Sequence, residues 1–219
     1  MPLFRKFPLS LSWIMVLTLG VVLGGSTIAA DLEQEKAKIV EQLLEKARYG
    51  DPEAQFSLAT AYDSGYGVPQ DHSSAAHWYE KAAEQGHAWA RFNLGVLNEE
   101  GLGVPQNRAN ALHWYRMAAE AGLAEAQSNL GRLYTEGPIP DYPVALAWFK
   151  RASDAGHAEA KFNLAQMHRY GLGTEQDLSK ALSLLNEVKA DYPPAAQLLQ
   201  ELVASKNSGI ENHQQRRNP

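Results

Sequence analysis

The 219-residue chain contains no cysteine. That absence excludes disulfide cross-links, a thiol nucleophile, thiolate metal ligation and a lipid-modified cysteine, so packing alone must hold the fold together. Positive charge is also scarce. Against 25 Asp and Glu there are 20 Lys and Arg, giving a formal charge of −5, and no basic cluster offers a footprint for nucleic acid. Gly-x-Ser-x-Gly, Ser-x-x-Lys, His-Glu-x-x-His and phosphate-loop patterns are missing too. The sequence therefore shows no nucleophile–base pair, calls for no cofactor and does not read as an enzyme.

What is present begins with an address. Arg5 and Lys6 precede the uncharged stretch "LSLSWIMVLTLGVVLGG", the small residues "STIAA" follow, and the text turns charged at Asp31. That order of parts reads as a secretory signal peptide over residues 1–30. The alternative is an uncleaved anchor, since the apolar run is near the lower limit for spanning a bilayer. On either reading the positive residues stay inside and the rest of the chain is exported, to the periplasm in a bacterial envelope. Membrane contact is then expected only through the signal segment, if it is retained.

The remainder repeats itself. "HWYEKAAEQGHAWARFNLG" from His77 returns as "HWYRMAAEAGLAEAQSNLG" from His113, an offset of 36 residues. Units start at Gly50, Gly86, Gly122 and Gly156, dividing the chain into 50–85, 86–121, 122–155 and 156–190. A period in the mid-thirties marks a solenoid of stacked helix–turn–helix units.

Within each unit the columns define two helices. Ala54, Ala90, Ala126 and Ala160 align, as do Leu58, Leu94, Leu130 and Leu164, and Ala61, Leu97, Leu133 and Met167. Spacings of four and three put them on one face of a first helix. The small residues Ala59, Gly95, Gly131 and Ala165 let a neighbouring helix approach. Gly65, Gly101, Gly137 and Gly171 are expected to end the first helix in the left-handed conformation. The second helix carries Ala75/Trp78/Tyr79/Ala82, Ala111/Trp114/Tyr115/Ala118 and Ala145/Trp148/Phe149/Ala152 on its buried face. Asp71, Asn107 and Asp177 stand where N-caps are needed.

The Trp-Tyr pair, the Ala-Leu-Gly helix and the Gly-x-Gly-Val loop, recurring together, resemble the Sel1-like repeat, a relative of the tetratricopeptide repeat. The resemblance covers Gly50 to Ala190 and implies an all-α fold, a right-handed α-solenoid of helix–turn–helix repeats. Departures are local. The third unit replaces the loop with "GPIPDYP", predicting a bent third turn, and the fourth has Leu184/Leu185 for Trp-Tyr. Residues 31–49, with Ile39, Leu43 and Leu44 on one side, read as an N-terminal capping helix. Residues 191–204 read as a C-terminal cap, and 205–219 as a disordered tail with little to bury.

The seven histidines do not make a metal site. His77 and His113 share a column with Ala147 and Ser183, and His87 and His157 share one with Leu123, so no ligand shell converges. His72, His168 and His213 are isolated. The tryptophans, at helical spacing beside alanines, read as inter-helix packing.

Surface remains. By resemblance to tetratricopeptide arrays, the outward side of the first helices forms a groove. The helical wheel places there Glu53, Phe56, Thr60 and Asp63, then Trp89, Phe92, Val96 and Glu99. The third and fourth units add Glu125, Ser128, Arg132 and Thr135, then Glu159, Phe162, Gln166 and Arg169. Trp89 stands out, because its column otherwise holds Glu53, Glu125 and Glu159. Acidic groups (Glu53, Asp63, Glu99) lie toward one end and Arg132 and Arg169 toward the other. The expectation is an exported, non-enzymatic adaptor that binds a protein or peptide segment of the cell envelope. Envelope assembly, secretion, polysaccharide export, motility and signalling are the processes that the resemblance implies. Two other classes stand beside it. One is a β-lactam-binding or hydrolysing enzyme of the cysteine-rich Sel1-like type, which the lack of cysteine disfavours. The other is a glycan or peptidoglycan binder, decided by whether Trp78 and Trp114 are buried.

Overall fold

A computed structural model describes residues 25–215, with side chains over residues 30–204. These residues form ten helices and no strand. The order is α1 (Gly25–Arg48), α2 (Pro52–Ser64), α3 (His72–Glu84), α4 (Ala88–Glu100), α5 (Arg108–Glu120), α6 (Ala124–Thr135), α7 (Tyr142–Asp154), α8 (Ala158–Tyr170), α9 (Leu178–Val188) and α10 (Pro193–Gln215). Helices α2, α4, α6 and α8 are the first helices of the four units; α3, α5, α7 and α9 are the second. Each first helix packs on its own second helix and on the second helix of the unit before, while α1 and α10 flank the array. The result is the all-α solenoid expected from the repeat. Most of the signal-like segment lies outside the described residues; its small-residue junction at Ala29 and Ala30 falls within α1. Among the described residues no helix is long and apolar enough to cross a membrane.

Capping explains why the helices start where they do. Asp71 accepts from the Ser73 and Ser74 amides, Asn107 from Asn110, Asp141 from Val144 and Asp177 from Lys180. Each such cap is worth about 0.5–2 kcal/mol. The His87 and His157 column belongs to the same class: both histidines are N-caps, with Nδ1 accepting from the Ala90 and Ala160 amides at 3.2 Å. Their recurrence is structural, at the helix entrance.

Three of the four expected glycine stops hold. Gly65, Gly101 and Gly171 close α2, α4 and α8 at φ 73°, 71° and 69°. Gly137 does not close α6, which ends at Thr135 with Glu136 as its C-cap at φ −97°. The shortened loop leaves no room for a left-handed turn before Asp141, whose amide already bonds the Tyr134 carbonyl at 2.9 Å.

The core is a chain of four adjoining clusters. Leu58, Leu97, Leu130, Tyr79 and Tyr115 are fully buried, so the sequence columns are the packing columns. The helix α1 buries Val40 and Ala47 most deeply, with Leu43 and Leu44 beside them. Its buried face is therefore turned slightly from the one centred on Ile39.

Two further contacts join unit to unit. A long polar side chain from each of the first three units caps the end of the preceding helix: Gln55 donates to the Ala47 carbonyl, Arg91 to Ala83 and Gln127 to Ala119, while the fourth unit's Lys161 pairs with Glu187. These bonds satisfy carbonyls that a helix leaves unpaired at its C-terminus. The second glycine of each Gly-x-Gly loop presses on the preceding unit's backbone. A Cβ on Gly67 would meet the Lys36 carbonyl oxygen at 2.6 Å, one on Gly173 would meet Tyr142 at 2.6 Å, and one on Gly103 would collide with the His72 carbonyl. The third unit has no such glycine. There the Arg108 guanidinium donates to the Leu133 carbonyl, while Ile139 projects into solvent.

Helix α10 continues to Gln215, through the segment from Ser205 where disorder was expected. Its first turns are docked through Ala195 and Leu198. No proline interrupts the chain between Pro194 and Pro219, so a nucleated helix propagates.

Candidate functional site

The outward side of the first helices is less open than a helical wheel suggests. Val96, Asp63 and Ser128 are buried, at 7%, 8% and 3% exposure. These three positions are corrected from groove to interior. Asp63 lies 2.9 Å from His72 Nδ1, so its carboxylate is occupied within the unit. Each first helix lies between two second helices, which widens the covered arc beyond a single stripe.

Aromatic surface does gather on the first two units. Phe56 is half-buried and stacked on His87, with centroids 4.3 Å apart and planes 20° apart. The same imidazole reaches Glu53 through Nε2 at 3.2 Å. Because His87 Nδ1 accepts from a backbone amide, the ring is held with its proton on Nε2, pointing at Glu53. Trp89 is half-buried and edge-on to Phe92, at 5.7 Å and 84°, and Phe92 leans on the buried Tyr115 at 5.6 Å. Thr60 lies below, its hydroxyl donating to the Phe56 carbonyl and 3.3 Å from the Tyr79 hydroxyl.

The charged ends do not separate as expected. Arg132 binds Glu99 at 2.6 Å and Glu136 at 2.7 Å, and the Tyr115 hydroxyl donates to the other Glu99 oxygen at 2.8 Å. This cluster ties α4, α5 and α6 together and neutralises Glu99 and Arg132 against each other. Burial, and then the Glu99 charge, push the Tyr115 hydroxyl far above its ordinary range. Burial alone would lower Arg132, but the hydrogen bond to Glu99 and its charge outweigh it and hold the guanidinium firmly protonated.

In the fourth unit Arg169 stacks on Tyr170 at 4.8 Å, and Phe162 packs on Tyr192 at 5.3 Å. Burial and the neighbouring Glu159 charge raise the Tyr192 hydroxyl. Gln166 is half-buried, with Oε1 lacking a partner. Glu125 and Thr135 are half-buried and Glu159 is exposed. The structure thus brings Glu53, Phe56, Trp89 and Phe92 onto adjoining helices and keeps Arg169 apart from them. Sequence reasoning missed His87, Tyr115, Glu136 and Tyr192 as members of this face. His87 and Tyr115 had periodic signals, but these marked a helix cap and the buried face of a second helix.

The second-helix side carries three of the tryptophans. Trp78, Trp114 and Trp148 are half-buried and pack against the core clusters, while the adjacent His77 and His113 are exposed and lie edge-on to Trp78 and Trp114. Arg151 covers the Trp148 ring at 4.7 Å. Among the described residues no group of three His, Asp or Glu could hold a metal ion.

Comparison with known proteins agrees with this geometry. The Sel1 repeat family model matches residues 52–87, 90–123, 124–157 and 158–187. A solved Sel1 repeat protein from Oxalobacter formigenes is 38% identical with a TM-score of 0.68, over 76% of this chain and 49% of that one. A protective antigen present in uropathogenic Escherichia coli strains, displaying the same repeat fold, is 30% identical with a TM-score of 0.73, over 76% and 36%. The chain therefore spans about half the length of the first relative and just over a third of the second. No curated protein matches the chain.

Proposed function

The chain belongs to the Sel1 repeat family, and from that premise we propose that it is an exported, non-enzymatic adaptor of a bacterial cell envelope. Sel1 repeats form a general protein-interaction fold. The partner is a protein or peptide segment docking along α2 and α4, with Trp89 as its anchor. Trp89 carries this reading. The family fold is satisfied by glutamate in that column, at Glu53, Glu125 and Glu159, yet here an indole stands half-exposed against Phe92. Large aromatics at partly desolvated positions are where binding energy concentrates. Because Glu99 and Arg132 neutralise each other, this apolar pair, flanked by Glu53, sets the position of the partner.

Export rests on the basic, apolar and small-residue order of residues 1–30. The hydrolase reading finds no support in a chain without cysteine. The test is crosslinking and capture from intact native envelopes, with the wild-type chain and Trp89→Ala as paired baits. A partner held by the first and lost by the second supports the reading. Equal capture by both, or an intact Met1 terminus recovered only from cytosol, would overturn the anchor or the export respectively.

A further inference from the structure

The opposite side of the same two units carries a second feature. Between α3 and α5, floored by α4, lies a cleft of about 430 Å³, within the size range of small-molecule sites. Its floor is apolar, made by Leu94 and the half-buried Trp114. Its walls are His77 and Glu80 from α3, and Asn107 and Asn110 from the start of α5. Asn107 spends its carbonyl oxygen on the Asn110 amide, leaving its own NH2 group to donate. His77, Glu80 and the Asn110 side chain make no hydrogen bond among the described residues.

Fold does not require this combination. At the next junction the equivalents of Glu80 and Asn110 are Arg116 and Val144. Arg116 is spent on the Tyr134 hydroxyl, and the equivalent indole, Trp148, lies under Arg151. The first junction therefore keeps His77, Glu80 and the Asn110 side chain unspent, whereas its neighbour engages Arg116 and covers its indole with Arg151.

We propose that the α3–α5 cleft binds a neutral saccharide. A pyranose has an apolar C–H face that packs on an indole, and hydroxyls around its edge that need planar groups able both to donate and to accept. Trp114 supplies the first; Asn107, Asn110, His77 and Glu80 supply the second. Other ligand classes fit poorly. No Lys or Arg lines the cleft, and Glu80 repels anions, so acidic sugars and phosphates are disfavoured. The walls are helices and the short loop of Gly103, Val104 and Pro105, none of it strand, which leaves no sheet edge for strand addition by a peptide. His77 and Glu80 alone are too few for a resident metal.

The test titrates the 15N-labelled full-length chain with maltotriose, cellotriose and triacetylchitotriose, and with trigalacturonate as the anionic control. NMR reads the five indole N–H signals and the backbone amides. The Trp114 indole should shift with at least one neutral trisaccharide, with Kd of about 1 mM or tighter. It should not respond to trigalacturonate. The double variant His77→Ala/Asn110→Ala, both surface positions, should weaken binding about tenfold at an unchanged melting temperature. The proposal fails if no neutral sugar moves Trp114, or if trigalacturonate moves it equally. It fails also if the double variant binds as tightly, or if the shifts centre on Trp89.

Discussion

The ring of Tyr115 rests directly on the bare backbone of Gly95: a Cβ there would lie 2.6 Å from both Cδ1 and Cε1. Phe149 lies over Gly131 in the same way, at 2.8 Å. Gly95→Ala should therefore destabilise the chain. Overpacking costs about 1–3 kcal/mol and helix propensity returns about 1 kcal/mol. A net loss of up to about 2 kcal/mol in denaturant unfolding is expected. A gain in stability would show that the aromatic ring yields freely.

Gln127 Oε1 is buried without a partner, whereas its counterpart, Gln55 Oε1, accepts from Gln85 Nε2 at 2.7 Å. The difference is one residue, because Ala155, the C-cap of α7, stands where Gln85 stands after α3. Ala155→Gln should supply the missing donor and raise stability by about 0.5–1 kcal/mol. The same substitution paired with Gln127→Leu, which removes the acceptor, should give no gain. Equal gains in both backgrounds would refute the pairing.

Alkaline pH should loosen the array through Tyr115. Its folded hydroxyl titrates well above the ordinary 10.0, because burial and then Glu99 disfavour the phenolate. The contribution is intact below pH 10 and is lost as pH rises beyond it, since only the unfolded chain then releases the proton. The slope is up to about 1.4 kcal/mol per pH unit for one group. Tyr115→Phe should be less stable at neutral pH, having lost the Glu99 bond, yet decline less steeply above pH 10. Unfolding midpoints measured from pH 8 to 11.5 check the sign.

Trp89→Ala should weaken partner binding by about 2 kcal/mol with little change in melting temperature. His77→Ala and His113→Ala should leave that partner's affinity unchanged. An earlier melt for Trp89→Ala at unchanged affinity would make the indole a packing residue on Phe92.

The columns of alanine and leucine made the helices, their pairing and the core legible, because each repeat reports the same packing environment again. Asp71, Asn107 and Asp177 gave three helix starts for the same reason. The groove was harder to read. A wheel drawn for one amphipathic helix assumes one covered stripe, but a first helix here has a second helix on either side, and Val96 and Asp63 fall in the overlap. The Glu99–Arg132 pair spans 33 residues, and Arg132 stands in a column otherwise filled by Thr60, Val96 and Gln166, so no spacing announces it. The capping donors Gln55, Arg91 and Gln127 did recur, but a long polar side chain gives no hydrophobic signal.

The third unit's loop has a mechanical consequence. At the junctions around Gly67, Gly103 and Gly173, main chain bears on main chain, and neither side can yield without moving a whole helix. Between the second and third units that stop is replaced by one arginine side chain with several rotatable bonds. Of the junctions between units, the one at Arg108 therefore has the softest stop. Glu99 and Arg132 straddle that junction on the other side and act as its tether. A partner gripping the face across units two and three would bear on that softer junction.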